Sequence, residues 1–213
     1  KAQVFKENDE AIKRKSTTHY FSEKPETKPK YGIIRVYLRG RYFEFLTSSG
    51  VFSPKRIDLG TRLLIESMVL PEEGCILDLG CGYGPVGIVA ATLKPKLQVY
   101  MVDINERAIK LARENAKRNL TENVKIMQGF LYEPVKKLKF DAILCNPPIS
   151  AGMKTVKKII NEAPAHLKEN GMLEIVVRSK IGGKTIKEFM EKTFGNVKVH
   201  AIQSGYRVLI SKT

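Results

Sequence analysis

The spacing of hydrophobic positions changes several times along the chain, and each change marks a predicted element. Residues 31–38 and 41–47 alternate polar and apolar side chains with Gly40 between them, which predicts a small β-hairpin. Over residues 59–69 the apolar positions recur at helical spacing, which predicts a helix. Short apolar runs and amphipathic stretches then alternate as far as Ile210.

The alternating part of the chain predicts seven strands and four further helices. The strands are 75–79, 97–102, 124–127, 140–145, 172–177, 197–202 and 207–210, and the helices are 86–93, 105–119, 155–167 and 184–193. Strands that alternate with helices form a parallel, doubly wound sheet. Residues 203–206 are too few for a parallel crossover, so the last two strands are expected to pair antiparallel at one edge. The predicted class is therefore α/β, with a seven-stranded, mostly parallel, Rossmann-like sheet and an antiparallel last strand.

The first part of the chain differs in composition from the rest. Residues 1–30 are charged and contain prolines, which is typical of a tail or arm. We expect residues 1–57 to form a basic N-terminal arm with the small hairpin, and residues 58–213 to form the α/β domain.

Composition and charge narrow the classes of protein that the chain can represent. The net charge of +15 favours a polyanionic partner, nucleic acid or an anionic membrane, with solubility or the ion pairs of a heat-stable protein as the alternative. No apolar run approaches the roughly 18–20 residues of a membrane helix, and no signal-peptide pattern opens the chain. The three cysteines lack metal-ligand spacing, so we expect a reducing, cytoplasmic location and neither a membrane nor a metal partner.

A glycine-rich stretch joins the first sheet strand to its helix. In "ILDLGCGYGPVG", Gly80, Gly82 and Gly84 allow a tight turn and a close approach to a ligand beside the start of a helix. The spacing of Gly82, Gly84 and Gly87 also fits a dinucleotide-binding pattern. Whether the ligand is a dinucleotide or another nucleoside derivative, its ribose hydroxyls are expected near the end of the second strand. Asp103 lies there and can accept their hydrogen bonds, the alternative being an acid at a helix start.

Two features favour a cationic or amino-bearing ligand over a dinucleotide. Asp78 precedes the glycines inside the strand, where a carboxylate suits a cationic or amino-bearing ligand. Asn146, Pro147 and Pro148 follow the fourth strand, where two prolines hold the chain rigid. Ligands of open α/β sheets bind at the carboxyl ends of the strands, so both motifs face one crevice.

These motifs carry a specific resemblance. "LDLGCGYG" with Asp103 is similar to class I S-adenosylmethionine-dependent methyltransferases, and "NPPI" resembles motif IV of those that methylate amino groups. "SSGVFSPKRIDLGTRLL" resembles the corresponding segment of bacterial small-subunit rRNA guanine 2-amino methyltransferases. "HYFSEKP", "DINERAIKLA" and "SGYRVL" are similar to a small archaeal group of such enzymes. The resemblance runs from about residue 19 onward.

The resemblance implies a role for each motif. S-adenosylmethionine is expected to bind Asp78, the three glycines, Asp103, Ile104, Phe130 and Asn146. The Asn146 side-chain oxygen and the Pro147 carbonyl would accept the two hydrogens of an exocyclic amine and orient its lone pair, with Pro148 keeping the turn rigid. These enzymes often have an acid after the third strand for the adenine amino group, whereas this chain has Gln128 and Gly129 there.

The target base and its RNA are expected at the same crevice. Ile149 stands where related enzymes often have an aromatic platform, and Phe52, Tyr20 and Phe21 are aromatic candidates to supply one. Basic residues after the fourth and fifth strands are expected to contact phosphates: Lys154, Lys157, Lys158, Arg178 and Lys180. Because a paired base cannot reach the methyl group, the target is expected to be unpaired or flipped out.

Several functions remain open from the residues alone. The leading hypothesis is methylation of an RNA amino group, in guanine or cytosine of ribosomal RNA. Methylation of a protein glutamine amide needs the same two acceptors, and an NAD-dependent oxidoreductase would use Gly82, Gly84 and Gly87. A non-catalytic RNA-binding module is a fourth alternative. Carbon-5 methylation of cytosine through Cys145 is disfavoured, because neighbouring side chains on a strand point to opposite faces.

Overall fold

A twisted seven-stranded sheet forms the centre of the molecule. The computed structural model describes residues 28–51, 55–148 and 152–213. We number the elements in chain order, with strands β1–β9 and helices α1–α5. The central sheet has the order β5-β4-β3-β6-β7-β9-β8, and β1 and β2 form a separate antiparallel hairpin. The strands are β1 Tyr31–Leu38, β2 Arg41–Ser48, β3 Gly74–Leu79, β4 Leu97–Asp103, β5 Val124–Gln128, β6 Phe140–Cys145, β7 Leu167–Arg178, β8 Lys198–Gln203 and β9 Tyr206–Lys212. The helices are α1 Leu59–Ser67, α2 Pro85–Leu93, α3 Glu106–Arg118, α4 Met153–Glu162 and α5 Gly183–Phe194.

The strand order and directions confirm the predicted fold class. Strands β5, β4, β3, β6 and β7 are parallel, and β9 lies antiparallel between β7 and β8. The order reverses at β3, from which the chain proceeds first toward β5 and later toward β8. In such sheets the crevice at the carboxyl ends of the strands, at this switch point, is the usual ligand site.

Apolar side chains cover both faces of the sheet, which explains the nearly continuous apolar strands. One buried cluster joins the sheet to α1, α2, α3 and the hairpin, and a second joins its other face to α4 and α5. The protein is therefore a three-layer α/β/α arrangement with the strand ends free to form a site.

Asn115 of α3 and Asn119, the C-cap of that helix, attach the hairpin to the sheet domain. Asn115 accepts the Leu46 N–H at 2.6 Å and donates to the Leu46 carbonyl at 2.9 Å. Asn119 makes the same pair of bonds with Glu44, at 3.2 and 2.9 Å. Each side-chain amide pairs with the backbone as a neighbouring strand would. The N–H and C=O groups of Glu44 and Leu46, on the free edge of β2, therefore have hydrogen-bond partners. The predicted domain boundary at residues 57/58 stays a prediction.

One predicted helix is shorter than the sequence pattern indicates. We predicted a helix over residues 155–167, but α4 ends at Glu162 and a 3₁₀ turn follows over Ala163–His166. Pro164 has no N–H to continue the helical ladder, and its ring clashes with the preceding turn. As a result β7 begins at Leu167, five residues before the predicted start. Within the described ranges, the helices are all too short or too polar to span a membrane.

Candidate active site

A cavity of about 980 Å³ opens at the carboxyl ends of the central strands. Ligand pockets in proteins are typically about 300–1,000 Å³, so this one has room for a cofactor with a second group beside it. Predicted site residues that line it are Asp78, Gly80, Gly82, Asp103, Ile104, Phe130, Asn146, Pro147, Pro148 and Arg178. The sequence motifs of β3, β4 and β6 are therefore brought together as expected.

The loop after β3 adopts the geometry that its glycines permit. Gly80, Gly82 and Gly84 have φ of 77°, 58° and 99°, a region that residues with a Cβ rarely adopt. Gly84 is the N-cap of α2 and, unlike the other two, does not line the cavity itself. The loop thereby turns directly from the end of β3 into α2 and exposes its backbone to the cavity.

Asp78 lies at the base of this loop and is almost completely buried. Its Oδ2 accepts the N–H of Gly87 at 2.8 Å, so the carboxylate also fixes the first turn of α2. Burial raises the pKa of Asp78 to about 7, and the nearby charge of Asp103 adds to this, against the lowering effect of the Gly87 N–H. A cationic ligand in the cavity would relieve this unfavourable desolvation.

Asp103 ends β4 and connects two loops. Its Oδ2 accepts the Gly82 N–H at 2.8 Å, and its Oδ1 accepts the Asn105 N–H at 2.9 Å. Burial raises the pKa of Asp103 to about 6, although these N–H groups favour its charged form. The acid therefore supports the start of α3 and also lines the cavity, and its binding of ribose hydroxyls stays a prediction.

Among the residues that the structure describes, the wall beyond Asp103 is apolar and carries no acid. Ile104 and Phe130 line it, and the Gln128 amide donates to the Ile104 carbonyl at 3.1 Å. The Nζ of Lys158 lies 5.0 Å from the centre of the Phe130 ring. This wall offers a flat apolar surface to a planar ring.

The side chain of Asn146 is held by residues at the start of α1. Its Nδ2 donates to Thr61 Oγ1 at 2.9 Å and to Asp58 Oδ2 at 3.2 Å. Asp58 also caps α1, since its Oδ2 accepts the Thr61 N–H at 3.0 Å. A carboxylate only accepts hydrogen bonds, so the amide nitrogen must face Asp58 and the Asn146 oxygen is left for a ligand.

A second group of polar residues lines the cavity on the same side as this asparagine. Arg178, at the end of β7, donates from Nε to the Tyr206 hydroxyl at 2.9 Å, and its guanidinium carbon lies 5.4 Å from that ring's centre. The Tyr206 ring in turn packs against Gly60, where an added Cβ would come within 2.8 Å of it. Tyr206 is thus an aromatic lining residue on the Asn146 side of the cavity.

The predicted lysines lie beside the cavity rather than in it. Lys154, Lys157 and Lys158 are exposed on α4, whose Thr155 and Ile159 line the cavity. Lys180 is also exposed and does not line it. Phe52 and Ile149, like Tyr20 and Phe21, lie outside the described residues.

Cys145 lies away from the cavity. Its side chain is buried in the apolar layer that contains α4 and α5, and burial raises the pKa of its thiol. A buried thiol of this kind is a poor nucleophile. The expected opposite orientation of Cys145 and Asn146 agrees with this placement.

Three residues of this site were missed in the sequence. Asp58, Thr61 and Tyr206 line the cavity, but none belongs to a motif whose chemistry is evident. Two signals were available. The helix-cap pattern at Asp58 predicts a helix start and no contact with Asn146, and the segments quoted for the resemblance contain all three residues without giving them a role.

The fold and the cavity together define a class of protein. A doubly wound sheet with β9 inserted antiparallel, a glycine loop after β3, an acid at the end of β4 and Asn-Pro-Pro after β6 is the arrangement of class I methyltransferases. Residues 42–210 match the model of the methyltransferase small domain family. The chain belongs to that family, and the predicted resemblance to methyltransferases is confirmed.

Sequence relatives of two lengths match the chain. It is 44% identical over 196 residues to the uncharacterized protein YbxB of Bacillus subtilis, covering 91% of this chain and 98% of that protein. It is 33% identical over 166 residues to ribosomal RNA small subunit methyltransferase C of Photorhabdus laumondii, covering 76% of this chain and 48% of that one. The chain therefore spans about half the length of the methyltransferase C relatives. The narrower resemblance to an archaeal group stays a prediction.

Solved structures confirm the fold. A Thermus thermophilus 16S rRNA N2 G1207 methyltransferase, in complex with AdoMet and guanosine, superposes with a TM-score of 0.77 and 22% identity. It covers 88% of this chain, which corresponds to 52% of that protein. A methyltransferase from Pyrococcus furiosus superposes with a TM-score of 0.59 and 24% identity, covering 67% of this chain and 77% of that one.

Proposed function

We propose that this protein transfers a methyl group from S-adenosylmethionine to the 2-amino group of a guanine in small-subunit ribosomal RNA. The observation that carries the proposal is the Asn146 amide, whose nitrogen is held by Asp58 and Thr61. Its oxygen is thereby available as an acceptor in the cavity that the glycine loop also lines. Family membership and the relatives that methylate ribosomal RNA support the same reaction.

The cavity residues fit the proposed cofactor. S-adenosylmethionine supplies an electrophilic methyl group on a positively charged sulfur. The buried carboxylates of Asp78 and Asp103 favour a cationic ligand with ribose hydroxyls, and the backbone of Gly80 and Gly82 allows close approach. Ile104 and Phe130 offer an apolar surface for the adenine, in place of the acid that is missing there.

Asn146 and Pro147 would orient the amine for attack. An exocyclic amine is a weak nucleophile because its lone pair is delocalised into the ring. The Asn146 oxygen and the Pro147 carbonyl would accept its two hydrogens and direct the lone pair out of the ring plane. Both acceptors are neutral, so their contribution is orientation and preorganised electrostatics and not strong general-base catalysis.

The RNA would reach this cavity as an unpaired or flipped-out nucleotide. The exposed lysines of α4, Lys154, Lys157 and Lys158, together with Lys180, are placed to contact phosphates around its opening. Such contacts would position the RNA without reading its sequence. We place this reaction in the cytoplasm, in keeping with the free thiols of Cys75, Cys81 and Cys145.

A test uses the protein with S-adenosylmethionine labelled in the methyl group and with unmodified small-subunit rRNA transcripts. Digestion to nucleosides and mass spectrometry identify the labelled product. We expect label in N2-methylguanosine. Label in N4-methylcytidine would redirect the proposal to cytosine, and label only in the glutamine of an added ribosomal protein extract would replace RNA by a protein substrate. Calorimetric binding of NAD in preference to S-adenosylmethionine would contradict the cofactor.

A further inference from the structure

Asp58 has one carboxylate oxygen in use and one available. Oδ2 accepts from the Thr61 N–H at 3.0 Å and from Asn146 Nδ2 at 3.2 Å. Oδ1 accepts no hydrogen bond from residues 28–51, 55–148 or 152–213. Asp58 is only partly buried and lines the cavity. A carboxylate acceptor therefore lies next to the Asn146 amide, and both residues line the same cavity.

A donor completes this side of the cavity. Arg178 uses Nε for the Tyr206 hydroxyl, which leaves its terminal nitrogens to donate elsewhere. The Tyr206 ring packs on Gly60, two residues after Asp58, so Arg178 is held on the same side as Asp58. The charge of Asp58 contributes to the raised pKa of Arg178, in addition to the larger effect of Tyr206. The cavity thus presents a neutral acceptor, a charged acceptor and a cationic donor.

Among the bases with an exocyclic amine, guanine alone matches this set. Beside its 2-amino group guanine carries the N1–H donor, followed by the O6 acceptor. Adenine and cytosine instead carry an unprotonated ring nitrogen beside the amine. That lone pair would face the Asp58 carboxylate without a hydrogen between them.

We propose that Asp58 determines the specificity for guanine by accepting the N1–H of the target base while Asn146 and Pro147 accept its 2-amino group. This inference rests on the proposed function and adds a reason for the choice of base. Leaving a charged acceptor opposite a lone pair excludes the wrong bases more effectively than the loss of a contact alone.

The variant Asp58→Asn changes one atom of this arrangement. Asparagine caps helices as well as aspartate does. Its oxygen must take the place of Oδ2, because that position accepts the Thr61 and Asn146 hydrogens. Its NH2 group then takes the place of Oδ1 and faces the base as a donor.

The test compares two RNA oligonucleotides that contain one guanosine or one 2-aminopurine riboside among uridines. Both bases carry the 2-amino group, but N1 of 2-aminopurine has no hydrogen. Single-turnover methyl transfer with S-adenosylmethionine gives a rate ratio for each protein. A hydrogen bond to a charged group is worth about 1.5–3 kcal/mol, which converts to roughly 10–150-fold. We expect the wild type to prefer guanosine by at least about tenfold. Asp58→Asn is expected to shift the rate ratio toward 2-aminopurine by at least about tenfold.

Thr61→Val is the matched control. It removes the hydroxyl that accepts from the Asn146 amide at 2.9 Å and donates to Asp58 Oδ2 at 3.4 Å, but it leaves the base-facing Oδ1 of Asp58 in place. It is expected to slow both substrates equally. If Asp58→Asn also slows both equally, Asp58 only positions Asn146 and the inference is overturned. If the wild type methylates neither oligonucleotide nor rRNA, the proposed function itself fails.

Discussion

At the scale of single residues, the chemistry of the cavity depends on carboxylates that the fold keeps out of water. Asp78 and Asp103 are both almost fully buried, and each still accepts backbone N–H groups. Their pKa values, about 7 and about 6, are raised by the same cause, the loss of hydration around the charged form. A cationic cofactor binds best when both are ionised.

The affinity for S-adenosylmethionine is therefore expected to rise with pH. Before a ligand binds, both carboxyls are neutral well below pH 6, and they ionise in turn as the pH passes about 6 and about 7. Calorimetry between about pH 5.5 and 7.5 should show an increasing affinity, because ligand binding favours the ionised forms. Asp103→Asn is expected to bind S-adenosylmethionine about 10–150-fold more weakly. The variant should also lack the rise in affinity near pH 6, which comes from ionisation of Asp103. A flat profile in the wild type would argue against ionised carboxylates as the cofactor's partners.

The sequence shows some residues of this site and hides others for a physical reason. Asp78, Asp103 and Asn146 each follow or end a strand, so the rule that ligands bind at the carboxyl ends of parallel strands places them together. Asp58 contacts Asn146 across 88 residues of chain. Its local pattern is explained as a helix cap, and only the folded chain, which brings the start of α1 beside Asn146, gives it a second role.

At the scale of elements, a buried glutamate connects β7 to the end of α1. Glu174 is completely buried, and its carboxylate accepts the Val69 N–H, with its two oxygens at 3.1 and 3.3 Å. Burial raises the pKa of Glu174 to about 8, against smaller opposing effects of the Val69 N–H and the Arg39 charge. The folded protein therefore keeps a proton on Glu174 that the unfolded chain has already released.

Stability is expected to decrease between about pH 4.5 and 8 because of this group. In that window the unfolded chain binds fewer protons than the folded one, so the free energy of unfolding falls as pH rises, by about 1.4 kcal/mol per pH unit from Glu174 alone. Glu174→Gln keeps an acceptor for Val69 and does not titrate. Denaturant unfolding at pH 5 and 8 should show a smaller loss for the variant, and equal losses would mean that Glu174 is ionised in the folded state. Asp78 and Asp103 contribute equally to both proteins and cancel in this comparison.

Element types were predictable because their periods differ, whereas some boundaries were not. The antiparallel pairing of β8 and β9 follows from the short connection between them. The insertion of β9 between β7 and β8 does not, since either of two short edge strands can pair with β7 by length and pattern alone. In the structure, α4 ends early because of Pro164. The prediction extends the helix to Leu167 because the apolar spacing continues to that residue.

At the scale of the whole molecule, the net charge of +15 does not say which surface binds RNA, whereas the positions of the lysines relative to the cavity do indicate one. Lys154, Lys157 and Lys158 are exposed on α4, one face of which lines the cavity. Lys136, Lys137 and Lys139 are equally exposed but precede β6, at the opposite edge of the sheet. The two groups carry the same charge at opposite ends of the parallel strands.

Reversing the α4 lysines to glutamate is expected to weaken RNA binding and its dependence on salt. Each lost phosphate contact lowers the slope of log affinity against log salt by about 0.7–0.9, so three contacts give a change of about 2. Fluorescence anisotropy with labelled rRNA fragments at several salt concentrations measures this slope. The same reversal of Lys136, Lys137 and Lys139 is the control, which lowers the overall charge equally. Identical slopes for the two triple variants would mean that net charge, and not the α4 face, attracts the RNA.

In the proposed reaction, Asn146 is oriented by Asp58 and Thr61 and holds the acceptor amine beside the cofactor. The most direct measurement is the single-turnover rate of methyl transfer to small-subunit rRNA by wild type and Asn146→Ala, with cofactor affinity measured on the same samples. Losing one preorganised polar contact costs on the order of 10²–10³ in rate. We predict that loss in Asn146→Ala, with S-adenosylmethionine bound nearly as tightly as by the wild type. A variant that binds cofactor normally and forms N2-methylguanosine at the wild-type rate would contradict the account.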